Sequence, residues 1–410
     1  MPEKRRIIVI GGGASGLVAA IAAARAGARV CIFEQADRVG KKILATGNGR
    51  CNLTNMNLTP DDYNNPLFVA PVLEQYSPQD IRAFFEELGL VTFEEREGRV
   101  YPRTNAANSV LDVLRLACRQ LGVEECCGID AMGITAADEK VFVHTSSGQD
   151  AEAEAVVVAT GGGTELLTRC AHTIIPFTPA LCALETDTGR IRGLSGVRSH
   201  ARAGLFDSSP EELDHRFDEG LPLKPLVSEK GEVLFRDYGV SGIAVFNLSR
   251  FVQINQTLAL DLLPDMPAAE LQNWLDSRCK ALFDTVSVYK PTCKDLLCGL
   301  LHPRIATAVL RMADLKPGDS IQPGKNAALV RAIKCLTLRV RGLANSTNAQ
   351  ITRGGADLAE FNPSTLASTL APNVYACGET LDVDGPCGGY NLQWAWASGL
   401  VAGESAALGR

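Results

Sequence analysis

The sequence predicts an α/β fold in which both ends of the chain build one parallel sheet, with an insert of different character between them. Three stretches predict it. Near the N-terminus a β-branched run passes through a glycine-rich turn into an alanine-rich helix and on to a second strand. In the middle, Ala155-Val156-Val157-Val158-Ala159 runs into Thr160-Gly161-Gly162. Near the C-terminus, Val374-Tyr375-Ala376-Cys377 runs into Gly378-Glu379 and later into an apolar helix. Short apolar runs ended by glycine suit buried parallel strands that stop where backbone meets a ligand.

The first stretch is the most explicit. Arg6-Ile7-Ile8-Val9-Ile10 reads as a buried strand, and Gly11-x-Gly13-Ala14-Ser15-Gly16 follows at once. Residues 17–27 read as a helix closed by Gly27, and residues 28–33 as a second strand ending at Glu34. Gly11 permits the tight turn, Gly13 lets the backbone approach a pyrophosphate, and Gly16 lets helix and strand pack closely. The helix N-terminus offers unpaired N–H groups to phosphate. Glu34 is placed to accept from a ribose diol, and its charge repels a 2′-phosphate. The unit therefore reads as a Rossmann-like site for FAD or NAD rather than NADP.

Composition bounds the rest. The chain has 410 residues, enough for two or three domains, and 47 acids against 40 bases leave a net charge of −7. That balance opposes a broad nucleic-acid surface. Thirteen cysteines include no C-x-x-C, and five scattered histidines add no zinc spacing, so no metal site is expected. Free thiols point to a cytoplasmic protein. Lys4-Arg5-Arg6 before eighteen uncharged residues has the look of a secretory leader, but Gly11-Gly12-Gly13 interrupts it. No stretch is apolar enough for a membrane helix.

The segment Lys41-Lys42-Ile43-Leu44-Ala45-Thr46-Gly47-Asn48-Gly49-Arg50-Cys51-Asn52-Leu53-Thr54-Asn55 reads as a donor-rich loop without regular helix or strand. Here the chain resembles the BaiN-like, aminoacetone-oxidase-like flavoproteins, whose signature is T-G-N-G-R-C-N. Arg99-Val100-Tyr101-Pro102, the Ala-Thr-Gly-Gly turn at 159–162, Cys377-Gly378-Glu379-Thr380-Leu381-Asp382-Val383-Asp384-Gly385 and Gly388-Gly389-Tyr390-Asn391-Leu392-Gln393 continue the resemblance in order. It implies tightly held, non-covalent FAD. Ala14 and Gly16 would lie over the pyrophosphate, Glu34 and Gln35 by the adenosine ribose, and Lys42 near ribose or phosphate. Thr46, Gly49, Arg50, Cys51 and Asn52 would line the isoalloxazine. The backbone of Ala131 would read adenine, with Thr160 and Gly161 nearby, while Gly378, Glu379, Asn391 and Leu392 would contact ribityl, phosphate or ring.

The resulting organisation is a discontinuous FAD-binding domain, residues 1–185 and 338–410, around an insert, 186–337. Ser77-Pro78-Gln79-Asp80 caps a helix to about residue 88, and another helix is expected over 108–121. In the insert, 204–207, 232–236 and 257–262 read as strands, and 268–283, 303–312 and 325–335 as helices. The resemblance implies a β-barrel-like part followed by a helical part that covers the flavin and shapes the substrate site. Arg236, Ile243, Ala356 and Thr369 depart from residues frequent in the family, which bears on substrate rather than cofactor.

For chemistry, the resemblance implies NAD(P)H-dependent reduction of a steroid-like enone, or oxidation of a small amine by oxygen. A helix starting at Asn391 would aim its N-terminus at the flavin pyrimidine. Tyr390 is the candidate proton donor, its alternative being a packing role. Arg50 is the candidate group for polarising a carbonyl or stabilising flavin charge, its alternative being an ion pair with Glu379. Trp394 and Trp396 suit the core. Cys51 lacks the second cysteine a disulfide reductase needs. A small-molecule partner is expected, and a reading of another class is an FAD-binding RNA-modification, sensor or assembly protein. No separate NAD(P)H fingerprint is present.

Overall fold

The computed structural model describes residues 4–137, 139–284, 289–344 and 349–410. The chain divides into two compact units, residues 1–178 with 350–410, and residues 179–349.

The first unit is built on a five-stranded parallel sheet. Its order is Val374–Ala376, Ala155–Val158, β1 (Arg6–Ile10), β2 (Arg29–Glu34) and Glu124–Cys127. Ile7, Ile8, Val9 and Val156 to Val158 are fully buried, as strands covered on both faces must be. Helix α1 (Ala14–Arg25) follows β1, and the helix Ala107–Leu121 precedes the edge strand. A three-stranded antiparallel meander, Ala131–Ala136, Val141–Thr145 and Ala151–Ala153, adds to this unit.

The C-terminal helix, Tyr390–Leu408, lies against α1 at unusually short range. A Cβ on Gly399 would stand 2.5 Å from the Ser15 carbonyl oxygen, and one on Gly403 would stand 2.2 Å from that of Ala19. Only glycine permits this approach. Trp394 and Trp396 are buried in the core, where their indole N–H groups donate to Gly378 O (3.1 Å) and Leu53 O (3.0 Å). The core reading of both tryptophans holds.

The second unit is a closed six-stranded barrel with antiparallel pairings, in the order Ala183–Thr186, Gly239–Ser241, Val227–Arg236, Arg198–Phe206, Thr257–Asp261, Leu336–Ala344. Helices Ala268–Asp284, Pro303–Met312 and Asn326–Lys334 share its hydrophobic core. The barrel's end staves run beyond the expected boundaries at 185 and 338. Barrel closure requires their pairing (Ala183 opposite Ala344), a long-range demand invisible to local patterning. Among the described residues, no helix is long and apolar enough to cross a membrane.

Candidate active site

Three neighbouring strands of the parallel sheet end in glycine turns at one edge, the position where open α/β sheets bind ligands. After β1, Gly11 has φ +104°, and a Cβ on it would lie 2.4 Å from the Ala159 carbonyl oxygen of the next strand's turn. A Cβ on Gly16 would overlap the Gly11 carbonyl, at 1.8 Å. Gly13 is the opposite case: its Cβ would meet nothing within 4 Å. Two glycines are forced by packing, and the third faces open space.

Helix α1 starts at Ala14, not at Leu17 as expected, because Gly13 itself serves as N-cap and Leu17 N–H donates back to its carbonyl (3.0 Å). No side chain caps the helix, so its first N–H groups face the space beside Gly13. Glu34, half-buried at the end of β2, accepts from Gly12 N–H and Ala36 N–H, both at 2.8 Å. Each carboxylate oxygen keeps a lone pair for a further donor. Gln35 beside it is exposed. Ile129 N–H donates to Glu34 O (3.1 Å) and Gly128 N–H to Ala36 O (2.9 Å), which draws the half-buried Ala131 toward the same end of β2.

The other two turns join this edge. The Lys42 ammonium pairs with Glu379 at 2.8 Å, and a Cβ on Gly161 would stand 3.7 Å from that carboxylate and 3.9 Å from that ammonium. The Thr160 hydroxyl closes its own turn by donating to Gly163 O. Gly378 N–H donates to Ser398 Oγ (2.9 Å), and a Cβ on Gly378 would meet Ser15 Oγ at 2.5 Å. Thus Ser15, Lys42, Thr160, Gly161, Gly378 and Glu379 are gathered from four distant stretches.

The signature loop is more ordered than the sequence suggests. Ile43–Gly49 forms 3-10 turns broken by Gly47 and Asn48, both at φ 55°, and Thr54–Asn55 is a short strand paired with Arg99–Pro102. Thr46 Oγ1 donates to Ile43 O (2.6 Å), and Cys51 N–H to Thr46 O (3.0 Å). Gly49 is exposed. Burial pushes the Cys51 thiol up to about 12, which leaves it protonated and unreactive at neutral pH. Asn52 is buried, and its Oδ1 has no protein hydrogen-bond partner.

Arg50 does not pair with Glu379, which is committed to Lys42. Its guanidinium binds Glu95 (2.6 Å) and Asn105 (2.9 Å from Nε), and lies 3.9 Å from the Tyr101 ring centre. The hydrogen bond from Arg50 holds the Glu95 carboxyl below its usual range. Tyr390 is the first residue of the C-terminal helix, which begins one residue before the expected Asn391. Its ring meets Tyr63 edge-on with centroids 6.4 Å apart, and its carbonyl accepts from the Tyr63 hydroxyl (2.8 Å). Asn391 bonds Gly385 N and O, both at 2.8 Å, so its side chain fastens the preceding loop. Leu392 packs half-buried on the core.

Sequence reasoning assigned no role to Asp382 and Asp384. Asp384 is 1% exposed and binds Arg353 Nε (3.2 Å), while its N–H donates to Asn64 Oδ1 (2.9 Å). Asn64 Nδ2 donates to Asp382 O (3.1 Å). Burial, reinforced by Asp384, raises the Asp382 carboxyl above its usual range. The D-V-D-G spelling was the available signal; Asn64 carried none.

The residues fit a dinucleotide: a helix end with no side-chain cap, an open space at Gly13, an anchored acid, and a buried, unpartnered Asn52 oxygen on the signature loop. Fold and site define an FAD-dependent oxidoreductase of Rossmann type. The chain belongs to the HI0933-like protein Rossmann domain family, which matches residues 5–405. It is 36% identical to the 3-dehydro-bile acid delta(4,6)-reductase of Clostridium scindens, covering 98% of this chain and 99% of that one. It is 28% identical to the ribosomal RNA dihydrouridine synthase of Escherichia coli, covering 98% of each, and 27% identical to that of Haemophilus influenzae, covering 99% of each.

Proposed function

We propose that the protein reduces a carbon–carbon double bond conjugated to a carbonyl, with NAD(P)H as transient reductant and a steroid-like enone as substrate. The observation that carries this reading is the end-to-end likeness, at 36% identity, to a reductase of a steroid acid. The dihydrouridine synthases fit the same reaction class, because dihydrouridine arises by reducing a uracil ring double bond conjugated to a carbonyl. Bound at the glycine edge, FAD supplies hydride chemistry at N5.

The chain's residues do the rest. Gly13 and the first turn of α1 receive the diphosphate, and Glu34 the adenosine ribose. The backbone of residues 46–52 and the head of the C-terminal helix would hold the isoalloxazine, and the helix N–H groups would favour negative charge on it. A hydride added at the β-carbon leaves negative charge on the carbonyl side, and the α-carbon then needs a proton. Tyr390 is the proposed donor, oriented by Tyr63. Arg50 has its Nε and one terminal nitrogen taken by Asn105 and Glu95, which favours a positioning role on the loop.

The test is anaerobic. Protein reduced with NADH or NADPH is mixed with an enone steroid, and flavin reoxidation is followed by absorbance. Reoxidation with formation of the saturated ketone supports the reading. Failure of both nucleotides to bleach the flavin, with bleaching by a small amine and reoxidation by oxygen, would replace it with an amine oxidase.

A second reading, reduction of uridine in ribosomal RNA, is favoured by the two full-length synthase relatives and by charge distribution. Residues 179–349 carry 21 Lys and Arg against 19 Asp and Glu, so the chain's acidity lies outside this unit. Dihydrouridine formed in ribosomal RNA by the reduced protein, with no turnover of enones, would select it.

A further inference from the structure

Away from the glycine edge, β2 and the edge strand Glu124–Cys127 carry two cysteines side by side. Cys31 faces Glu124 and Phe33 faces Cys126 in the parallel register, so Cys31, Glu124 and Cys126 project to one face of the sheet. The Cys31 and Cys126 sulfurs are 3.0 Å apart, and no other two cysteines are hydrogen-bonded among the described residues. Cys31 is buried, whereas Cys126 is half-buried.

The three donor atoms lie within 4.8 Å of one another, close enough to suggest a metal ion. Charge argues against it. Arg29 is bonded to Glu124 at 3.1 Å, and Arg6, opposite Arg29 on β1, acts electrostatically on Cys31. Two guanidiniums beside the cluster repel a cation and occupy its carboxylate. Burial and the adjoining Cys126 thiol hold the Cys31 thiol well above its usual range, so the half-buried Cys126 is the thiol placed to meet an oxidant first.

We propose that Cys31 and Cys126 form a reversible disulfide when the protein meets hydrogen peroxide. The more exposed Cys126 thiol gives two electrons to the peroxide, becoming a sulfenic acid as one water leaves. Cys31 sulfur then attacks the Cys126 sulfur. The S–S bond forms, the S–O bond breaks, and the Cys31 proton leaves with the hydroxyl as a second water. The sulfurs need to close by about 1 Å, to the roughly 2.05 Å of a disulfide. The bond joins residues 95 positions apart, a span that includes Glu34 and the signature loop.

Holoprotein is treated with hydrogen peroxide, unfolded, and its free thiols counted with a maleimide. The wild-type count of 13 cysteines should fall by two, return with dithiothreitol, and leave one non-reduced peptide pair linking Cys31 to Cys126. Cys126→Ser should lose neither the pair of thiols nor yield the linked peptides, and Cys127→Ser should behave as wild type. A wild-type count that stays whole would overturn the proposal. So would sulfinic acid at Cys126 without the crosslink, or one equivalent of bound zinc that shields both thiols.

Discussion

Lys42 Nζ stands 2.8 Å from Glu379 Oε2, joining the loop after β2 to the turn after Val374–Ala376 across 337 positions of sequence. Gly161, from the third turn, comes against both charged groups. The pair therefore ties together the segments around the space where the dinucleotide is placed. Lys42 is 68% exposed, so water and salt weaken the attraction.

Glu379→Gln should loosen this tie modestly. An exposed ion pair contributes about 0.2–1 kcal/mol, so the FAD dissociation constant should rise no more than about fivefold. Titrating apoprotein with FAD at low salt measures it, and wild type should approach the variant at high salt. Equal affinities at low salt would show that the pair does not bear on the cofactor.

Gly403→Val should destabilise the protein by at least about 1–3 kcal/mol, because its Cβ would lie 2.2 Å from the Ala19 carbonyl oxygen and one of the two helices must move. Denaturant unfolding reads this directly. A variant as stable as wild type would mean that the close contact with α1 is not required.

Cys51, Cys118, Cys335 and Cys377 have thiols pushed up by burial to about 12. Their folded values lie above the unfolded one, so the folded state keeps these protons while the unfolded chain releases them as pH rises past about 8.5. Stability should accordingly be flat below that point and fall between about pH 9 and 12. Melting temperatures across this range test it, as does the resistance of these thiols to maleimide at neutral pH.

Arg50→Lys and Glu95→Gln should each slow turnover by roughly tenfold while leaving FAD content unchanged, since both release the same loop. The double variant should be no slower than either one. Glu95 is held below its usual range, so the pairing is intact above the free carboxyl value and is lost as pH falls through the bound one. Wild type should show that acidic limb in its rate profile, and Glu95→Gln should lack it.

The β-α-β unit was legible because each of its features is local. Ile7 to Ile10 declare a buried strand, Gly11 and Gly16 sit where backbone packs on backbone, and Glu34 ends the second strand. The partners of Arg50 were not legible. Glu95 and Asn105 lie on an irregular stretch whose path depends on the pairing of Thr54–Asn55 with Arg99–Pro102, a contact with no periodic signal. Helix α1 begins three residues before the expected Leu17 because Gly13 is its N-cap without any capping side chain, a start that carries no local signal. Asp384 sat inside a recognised motif, yet its ion pair with Arg353 depends on how residues thirty-one apart return to each other.

The account rests on FAD seated over Gly13, and the most direct measurement is FAD stoichiometry in wild type and Gly13→Val side by side. Wild type should bind one FAD per chain, and the variant should fold with an unchanged far-ultraviolet spectrum but hold little or none, its isopropyl group filling the open space. Full FAD occupancy in the folded variant would contradict the placement of the cofactor and everything built on it.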